Sequence, residues 1–242
     1  MTPWRFTEAE LVERPALELL AELGWTVVDA YGETLGPAGT LGRDSIHDAV
    51  LSHRLRDAIR VLNPELPDLI REEALAAITK DRSVMDPTRA NCEFHALLRD
   101  GHRAEWRDDK GAPCFATVRY LDFNDSTKND WLAASQVWLA GELHRRRADT
   151  ILFVNGIPLV LAEFKEIGRP VKAAYDENLC DYRDTIPQLF TPNAFVILSN
   201  GSQAKVGHLR PVGLLRQLEG DRRRRHPGCG RAGDCHPGHA RP

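Results

Sequence analysis

A hairpin signal in the second half of the chain constrains the fold most strongly. Two apolar runs flank Asn155 and Gly156, a dipeptide typical of the two-residue turn between antiparallel strands. The first run begins after Asp149, and the second ends in Glu163 and Lys165. The sequence therefore predicts a buried β-hairpin whose open end carries two acids and a lysine.

The register of this hairpin decides whether the two acids can meet. Side chains alternate between the faces of a strand, so Glu163 and Lys165 share one face. A strict two-residue hairpin would pair Asp149 with Ala162 and turn Glu163 away. Convergence therefore requires a three-residue loop, a bulge or a bend at Asp149. Pro158 cannot donate a ladder hydrogen bond, which favours an irregularity near the turn.

Two carboxylates and a lysine are the minimum set for metal-dependent phosphodiester hydrolysis. Mg²⁺ prefers oxygen ligands and offsets charge on a phosphate. The ammonium group of a nearby lysine can position the attacking water. We expect Asp149 and Glu163 to be Mg²⁺ ligands, together with the backbone carbonyl of Phe164, and Lys165 to position the water. The plainer alternative is an ion pair at the end of a solvated strand.

The remainder of the chain has an α/β order. A capping box at Thr7 and Glu10 opens a first helix that runs to Gly24, and glycine-rich residues 32–42 precede a helical layer at about 46–99. A catalytic sheet is expected over about 103–206, with a crossover helix at 171–184. The predicted fold is α/β with a mixed central sheet flanked by helices, a helical layer in the N-terminal and middle part, and a domain spanning 1–207. Strands are expected at 25–30, 103–107, 114–123, 131–139, 150–154, 158–165, 194–198 and 203–206.

The spacing from Asp149 to Glu163 and Lys165 resembles the PD-(D/E)xK nuclease signature, with Ala148 in place of the usual proline. Residues 145–165 and 173–207 resemble the N-terminal nuclease domain of the R subunits of type I restriction enzymes. The resemblance implies a RecB-like, restriction-endonuclease-like core that cleaves DNA with Mg²⁺ after ATP-driven translocation. It also implies methylase and specificity subunits as partners.

The resemblance implies further site residues on two helices. In the family a glutamine and a tyrosine four residues apart complete the site, and the matching positions here are Asn178 and Tyr182. Asparagine is shorter than glutamine, which puts its reach toward the acids in question. A glutamate of the first helix often joins such sites, and Glu13 is the candidate, with Glu10 as the alternative.

Charge is distributed unevenly along the chain. The net charge is −3, but residues 206–242 hold eight arginines against three acids, so this segment carries +5 and the preceding body −8. An acidic body argues against DNA binding by overall charge and favours local or metal-assisted contacts. Arg145, Arg146 and Arg147 could contact DNA phosphates or form a solvated charge run.

The chain after about Gly207 has a different composition. Residues 208–242 mix Arg, Gly, Pro, His and Cys without apolar periodicity, which predicts a disordered or frameshifted tail. Zinc binding by Cys229, Cys235, His236 and neighbouring histidines is disfavoured because the spacing matches no usual structural-zinc pattern. Five scattered cysteines and the lack of a signal or membrane-spanning segment predict a cytoplasmic chain with free thiols.

The sequence contains no G-x-x-x-x-G-K-[ST] loop, so no ATP site is expected in this chain. The combined prediction is a Mg²⁺-dependent DNA endonuclease domain of a type I restriction R subunit that lacks the translocating motor. Two alternatives remain open at this point. One is a catalytically silent module that binds DNA or other subunits, and the other is a stand-alone RecB-like repair nuclease.

Overall fold

A six-stranded mixed sheet is the centre of the computed structural model, which describes residues 12–171 and 178–208. The strands run in the spatial order β1-β4-β5-β6-β7-β8, with β1–β4 and β6–β7 parallel and the other pairs antiparallel. The predicted α/β class with a mixed central sheet is therefore confirmed. The strands are β1 Thr26–Asp29, β2 His102–Arg107, β3 Pro113–Val118, β4 Trp131–Ala140, β5 Arg145–Val154, β6 Ile157–Phe164, β7 Phe195–Ser199 and β8 Ala204–Gly207.

Five α-helices accompany the sheet in the described ranges, and none of them is long and apolar enough to cross a membrane. The predicted capping box at Thr7 and Glu10 lies outside the described residues, as do residues 172–177 of the predicted crossover helix. The helices are α1 Arg14–Glu22, α2 Ser52–Leu62, α3 Asp68–Thr79, α4 Pro87–Asp100 and α5 Cys180–Thr185.

Helix α2 begins at Ser52, six residues later than the sequence pattern predicted. The preceding residues form a turn in which Asp48 accepts a hydrogen bond from the backbone N–H of Ser45 at 3.0 Å. The guanidinium of the buried Arg43 donates to the Asp48 carbonyl at 2.9 Å. These contacts hold the backbone in a non-helical conformation, so local polar chemistry outweighs the apolar periodicity.

The hairpin of β2 and β3 forms a separate two-stranded sheet. The sequence prediction of one continuous sheet from about residue 103 was wrong on this point. The hairpin buries one face, through Ala104 and Val118, in a cluster with residues of the helical layer such as Ile78 and Phe94. Alternating burial along β2 and β3 fits a hairpin that packs on helices, because a strand inside the central sheet is covered on both faces.

Different elements cover the two faces of the central sheet. Helix α1 and the residues around it pack on one face, where Val12 contacts a cluster with Ala162 and Phe164 of β6. The opposite face packs against Tyr182 of α5 and against Leu41 in the loop before α2. The central hairpin β5–β6 therefore has its side chains buried on both sides, which explains why both strands are apolar over most of their length.

Candidate active site

The hairpin β5–β6 contains a bulge close to its turn. Phe153 pairs with Pro158, but Leu152 pairs with Val160, so Leu159 is an extra residue in β6. The loop itself stays a two-residue turn, in which both the asparagine and the glycine have positive φ, as a type I′ turn requires. Near the turn, the structure therefore contains the bulge that the sequence left open and not the three-residue loop.

The bulge brings Asp149 and Glu163 together. It pairs Thr150 with Ala162, so the next position along the ladder places Asp149 opposite Glu163. The backbone N–H of Asp149 donates to Oε1 of Glu163 at 3.3 Å, and the N–H of Phe164 donates to Oδ2 of Asp149 at 2.8 Å. One inserted residue thus converts two acids on different faces into neighbours.

The side-chain alternation of β4 and β5 also shifts at the level of Asp149. In β4 both Ala134 and Val137 lie in one core cluster, and in β5 both Ala148 and Ile151 lie in that same cluster. Positions three apart face opposite sides in a regular strand, so each strand contains one irregular step. In β4 this step includes Gln136, which has a φ of 55° and is a non-glycine residue in the left-handed region. Such backbone strain concentrates at functional sites.

Asn178 connects the lysine to the acid pair. Its Nδ2 donates to Oε2 of the fully buried Glu163 at 2.6 Å, and its Oδ1 accepts from Nζ of Lys165 at 3.2 Å. The shorter asparagine side chain therefore reaches the site. Lys165 follows the last residue of β6 and lies on the same side as Glu163, as alternation predicted, and the Asn178 amide between them fixes their relative positions.

Tyr182 lies one helical turn beyond Asn178 and borders the same acids. Its side chain is buried, and its hydroxyl donates to the backbone carbonyl of Arg147 at 2.6 Å. Burial raises the pKa of the Tyr182 phenol, and the negative charges of Glu163 and Asp149 raise it further. The neutral phenol ties α5 to β5 beside the site.

Glu13 joins the site through a residue that sequence reasoning missed. Nε2 of Gln136 donates to both carboxylate oxygens of Glu13, at 2.9 Å each. Burial raises the pKa of Glu13, the hydrogen bond from Gln136 lowers it, and the charge of Asp149 raises it. Gln136 lies on β4 between the partners of Thr150 and Ala148, so this hydrogen bond places Glu13 near Asp149. A glutamine in the mostly apolar strand β4 was the available signal for Gln136.

The acid pair is electrostatically unfavourable without a cation. Burial raises the pKa of Glu163 well above its ordinary value, and the nearby charge of Asp149 adds to this increase. Burial also raises the pKa of Asp149, while Lys165 and Arg147 oppose the effect. Two desolvated carboxylates at one point favour either a shared proton or a bound cation.

The donor set at this point suits Mg²⁺, which is commonly held by one or two carboxylates with water and substrate phosphate completing its shell. Asp149 and Glu163 supply those carboxylates. Within residues 12–171 and 178–208, no group of three or more His, Cys, Asp or Glu side chains is placed to hold a metal ion. The expected role of the Phe164 carbonyl stays a prediction, whereas Glu10 and the histidines and cysteines after residue 208 lie outside the described residues.

The mixed six-stranded sheet flanked by helices defines a restriction-endonuclease-like α/β domain. Residues 5–211 match the family model described as the type I restriction enzyme R protein N terminus. The chain belongs to this family.

Two curated relatives support the same family. The chain is 33% identical over 205 residues to the type I restriction enzyme HindI endonuclease subunit of Haemophilus influenzae, covering 82% of this chain. It is 29% identical over 211 residues to a putative type I restriction enzyme MjaIXP endonuclease subunit of Methanocaldococcus jannaschii, covering 84% of this chain. The matched regions span 19% of each relative's own length.

Proposed function

We propose that this chain is a Mg²⁺-dependent DNA endonuclease domain of a type I restriction R subunit. The observation that carries the proposal is the convergence of Asp149, Glu163 and Lys165 at one end of the hairpin β5–β6. Both relatives are named as endonuclease subunits, which supports a nuclease as the general class. The site carries this proposal more than the fold does, because one fold can host many chemistries.

Each residue of the proposed site has a separate role in the reaction. Asp149 and Glu163 would hold Mg²⁺, which when bound neutralises charge on the phosphate and acidifies a water molecule. Asn178 orients Glu163 and Lys165 through the two hydrogen bonds of its amide. The Lys165 ammonium, held in this way, donates to the attacking water and stabilises the anion that develops on the phosphate.

A plasmid-nicking assay with Mg²⁺ tests the proposal. We expect the full chain to relax supercoiled plasmid, and Glu163→Ala and Lys165→Ala each to reduce the rate by about 100-fold or more, because each removes a group that acts in the transition state. Chelation of the metal should abolish the reaction.

Glu142→Ala is the matched control for this assay. Glu142 is an exposed acid in the loop between β4 and β5, outside the site. Its replacement removes one carboxylate and should leave the nicking rate unchanged. Equal nicking by the wild type, the two site variants and the control would refute the assignment of these residues.

Calorimetry separates the proposal from the alternative of a catalytically silent module. Titration of the chain with Mg²⁺ should give a binding heat that disappears in Asp149→Ala. We further propose that the domain acts with methylase and specificity subunits, and that sequence recognition and ATP-driven translocation come from other parts of that complex. The domain by itself would then cut without sequence preference.

A further inference from the structure

Two arginines beside the site differ from most arginines of the described chain. Arg145 and Arg147 are exposed, and within residues 12–171 and 178–208 neither forms an ion pair with a carboxylate. The guanidinium of Arg145 lies 4.2 Å from the centre of the Trp138 ring. The guanidinium of Arg147 lies 5.5 Å from that ring and 5.5 Å from the exposed ring of Tyr31.

These four side chains form an aromatic-supported arginine surface that runs toward the acids. Arg145 and Arg147 precede Asp149 by four and two residues on β5. Arg147 pairs with Trp138 of β4, one step along the ladder from the pair Val137 and Ala148, and so lies next to Asp149. The surface therefore adjoins the carboxylates and supplies positive charge at the edge of an otherwise acidic region.

The intervening Arg146 has a different environment. It points to the other side of β5 and forms an ion pair with Asp181 of α5, with Nη2 2.9 Å from Oδ1. Its charge is neutralised within the domain. One strand thus carries two arginines that face solvent and one that is used for internal packing.

We propose that Arg145 and Arg147, supported by Trp138 and Tyr31, bind the phosphate backbone of DNA and guide it to Asp149. Stacking on an aromatic ring restrains a guanidinium while its N–H groups stay available, and this planar fork matches phosphate oxygens. The chain has a net charge of −3, so its overall charge does not attract DNA. Binding therefore requires local contacts such as these two arginines. The inference rests on the proposed nuclease function and names the surface through which its substrate is held.

The test measures DNA affinity without cleavage. The full chain carrying Glu163→Gln is titrated against a labelled DNA duplex of arbitrary sequence in the presence of a chelator, between about 50 and 200 mM salt. The double variant Arg145→Ala, Arg147→Ala should weaken binding by about tenfold. It should also lower the slope of log Kd against log salt by about 2, since each phosphate contact contributes about 0.9.

Two comparison variants make the result specific. Arg146→Ala removes the same type of charge from the same strand and should change neither the affinity nor the slope. Arg145→Lys with Arg147→Lys keeps the charges and loses the planar fork, so the slope should return toward that of the parent while the affinity stays reduced. If the alanine double variant binds DNA like Arg146→Ala, the proposal is overturned.

The outcome is independent of whether the chain cuts DNA. A lowered salt slope together with absence of nicking would retain the DNA-binding surface and remove the nuclease assignment. Normal nicking with an unchanged slope would retain the nuclease and remove the surface. A role of the two arginines in folding alone would lower the unfolding temperature of the alanine double variant without changing its salt slope, and would also overturn the proposal.

Discussion

Glu163, a proposed metal ligand, also carries a stability cost. Its side chain is fully buried. The Asn178 amide donates a hydrogen bond to one carboxylate oxygen, and the backbone N–H of Asp149 donates to the other. Burial raises the pKa of Glu163 well above the ordinary value of 4.5. The surrounding fold therefore holds this carboxyl group where its ionised form is disfavoured, which reduces the stability of the domain.

The first prediction concerns the pH dependence of stability in the absence of metal. The folded state binds the Glu163 proton more tightly than the unfolded chain does, so the free energy of unfolding falls as pH rises from about 4.5 toward the folded-state pKa. Above that value the loss is complete. Glu163→Gln cannot lose this proton, so the variant should become several degrees more stable than the wild type across this window.

Thermal unfolding followed by circular dichroism checks this prediction. Glu142→Gln is the control, because it removes an exposed acid and should follow the wild-type pH profile. Added Mg²⁺ should narrow the gap between the wild type and Glu163→Gln at high pH, since a bound cation stabilises the ionised form. Parallel curves for all three proteins would show that Glu163 does not titrate as proposed.

The hairpin β5–β6 links the site to the helical layer at the element scale. Its turn accepts a hydrogen bond at the Gly156 carbonyl from the backbone N–H of Leu51, just before α2, at 2.8 Å. Gly156 has a φ of +78°, and a Cβ at this position would lie 2.6 Å from the Leu51 carbonyl oxygen. Both the backbone conformation and the close approach of α2 therefore require glycine.

The second prediction compares two glycines that both have positive φ and lie in hairpin turns. Gly201, in the turn between β7 and β8, has a φ of +77°, but a Cβ there would meet only side-chain atoms, at 3.4 Å or more. Both alanine variants lose stability through the positive φ. Gly156→Ala should lose about 1–3 kcal/mol more than Gly201→Ala, because its methyl group collides with backbone.

Urea unfolding of the two glycine variants measures this difference in the free energy of unfolding. The nicking rate per folded molecule should stay at the wild-type value in both, since neither turn contacts the acids. Equal losses of stability would mean that α2 can move away from the turn without cost.

For the whole molecule, strand β8 marks the last described part of the central sheet. Residues Ala204–Gly207 pair with β7, which in turn pairs with β6 and so supports Glu163 from the neighbouring strand. Leu198 of β7 is buried next to this edge. The predicted boundary near residue 207 falls at the last residue of β8 and stays a prediction.

The third prediction tests that boundary with two shortened chains. A chain that ends after His208 should unfold at the same temperature as the full chain, because all described strands are retained. A chain that ends after Gln203 should lose about 2 kcal/mol or more, since removal of β8 exposes part of β7 and breaks its ladder. If the first shortened chain is as unstable as the second, the segment after residue 208 contributes to the folded domain.

The sequence alone determined the features that depend on local chemistry. The Asn-Gly turn and the two apolar strands around it follow from turn preference and side-chain patterning. The family also follows from these residues and their neighbours, and the comparisons confirmed it. Side-chain alternation predicted that Glu163 and Lys165 share a face, because side chains two positions apart in a strand point to the same side.

Where these residues meet depends on the packing of elements that are distant in sequence. The extra residue Leu159, which aligns Asp149 with Glu163, depends on which pairing buries both faces of the hairpin. Gln136 reaches Glu13 across 123 positions of sequence, from a backbone conformation that no local pattern specifies. Packing against distant elements sets the strand register, the sheet to which each strand belongs and these long-range hydrogen bonds. Local sequence patterns do not describe such packing and so could not predict them.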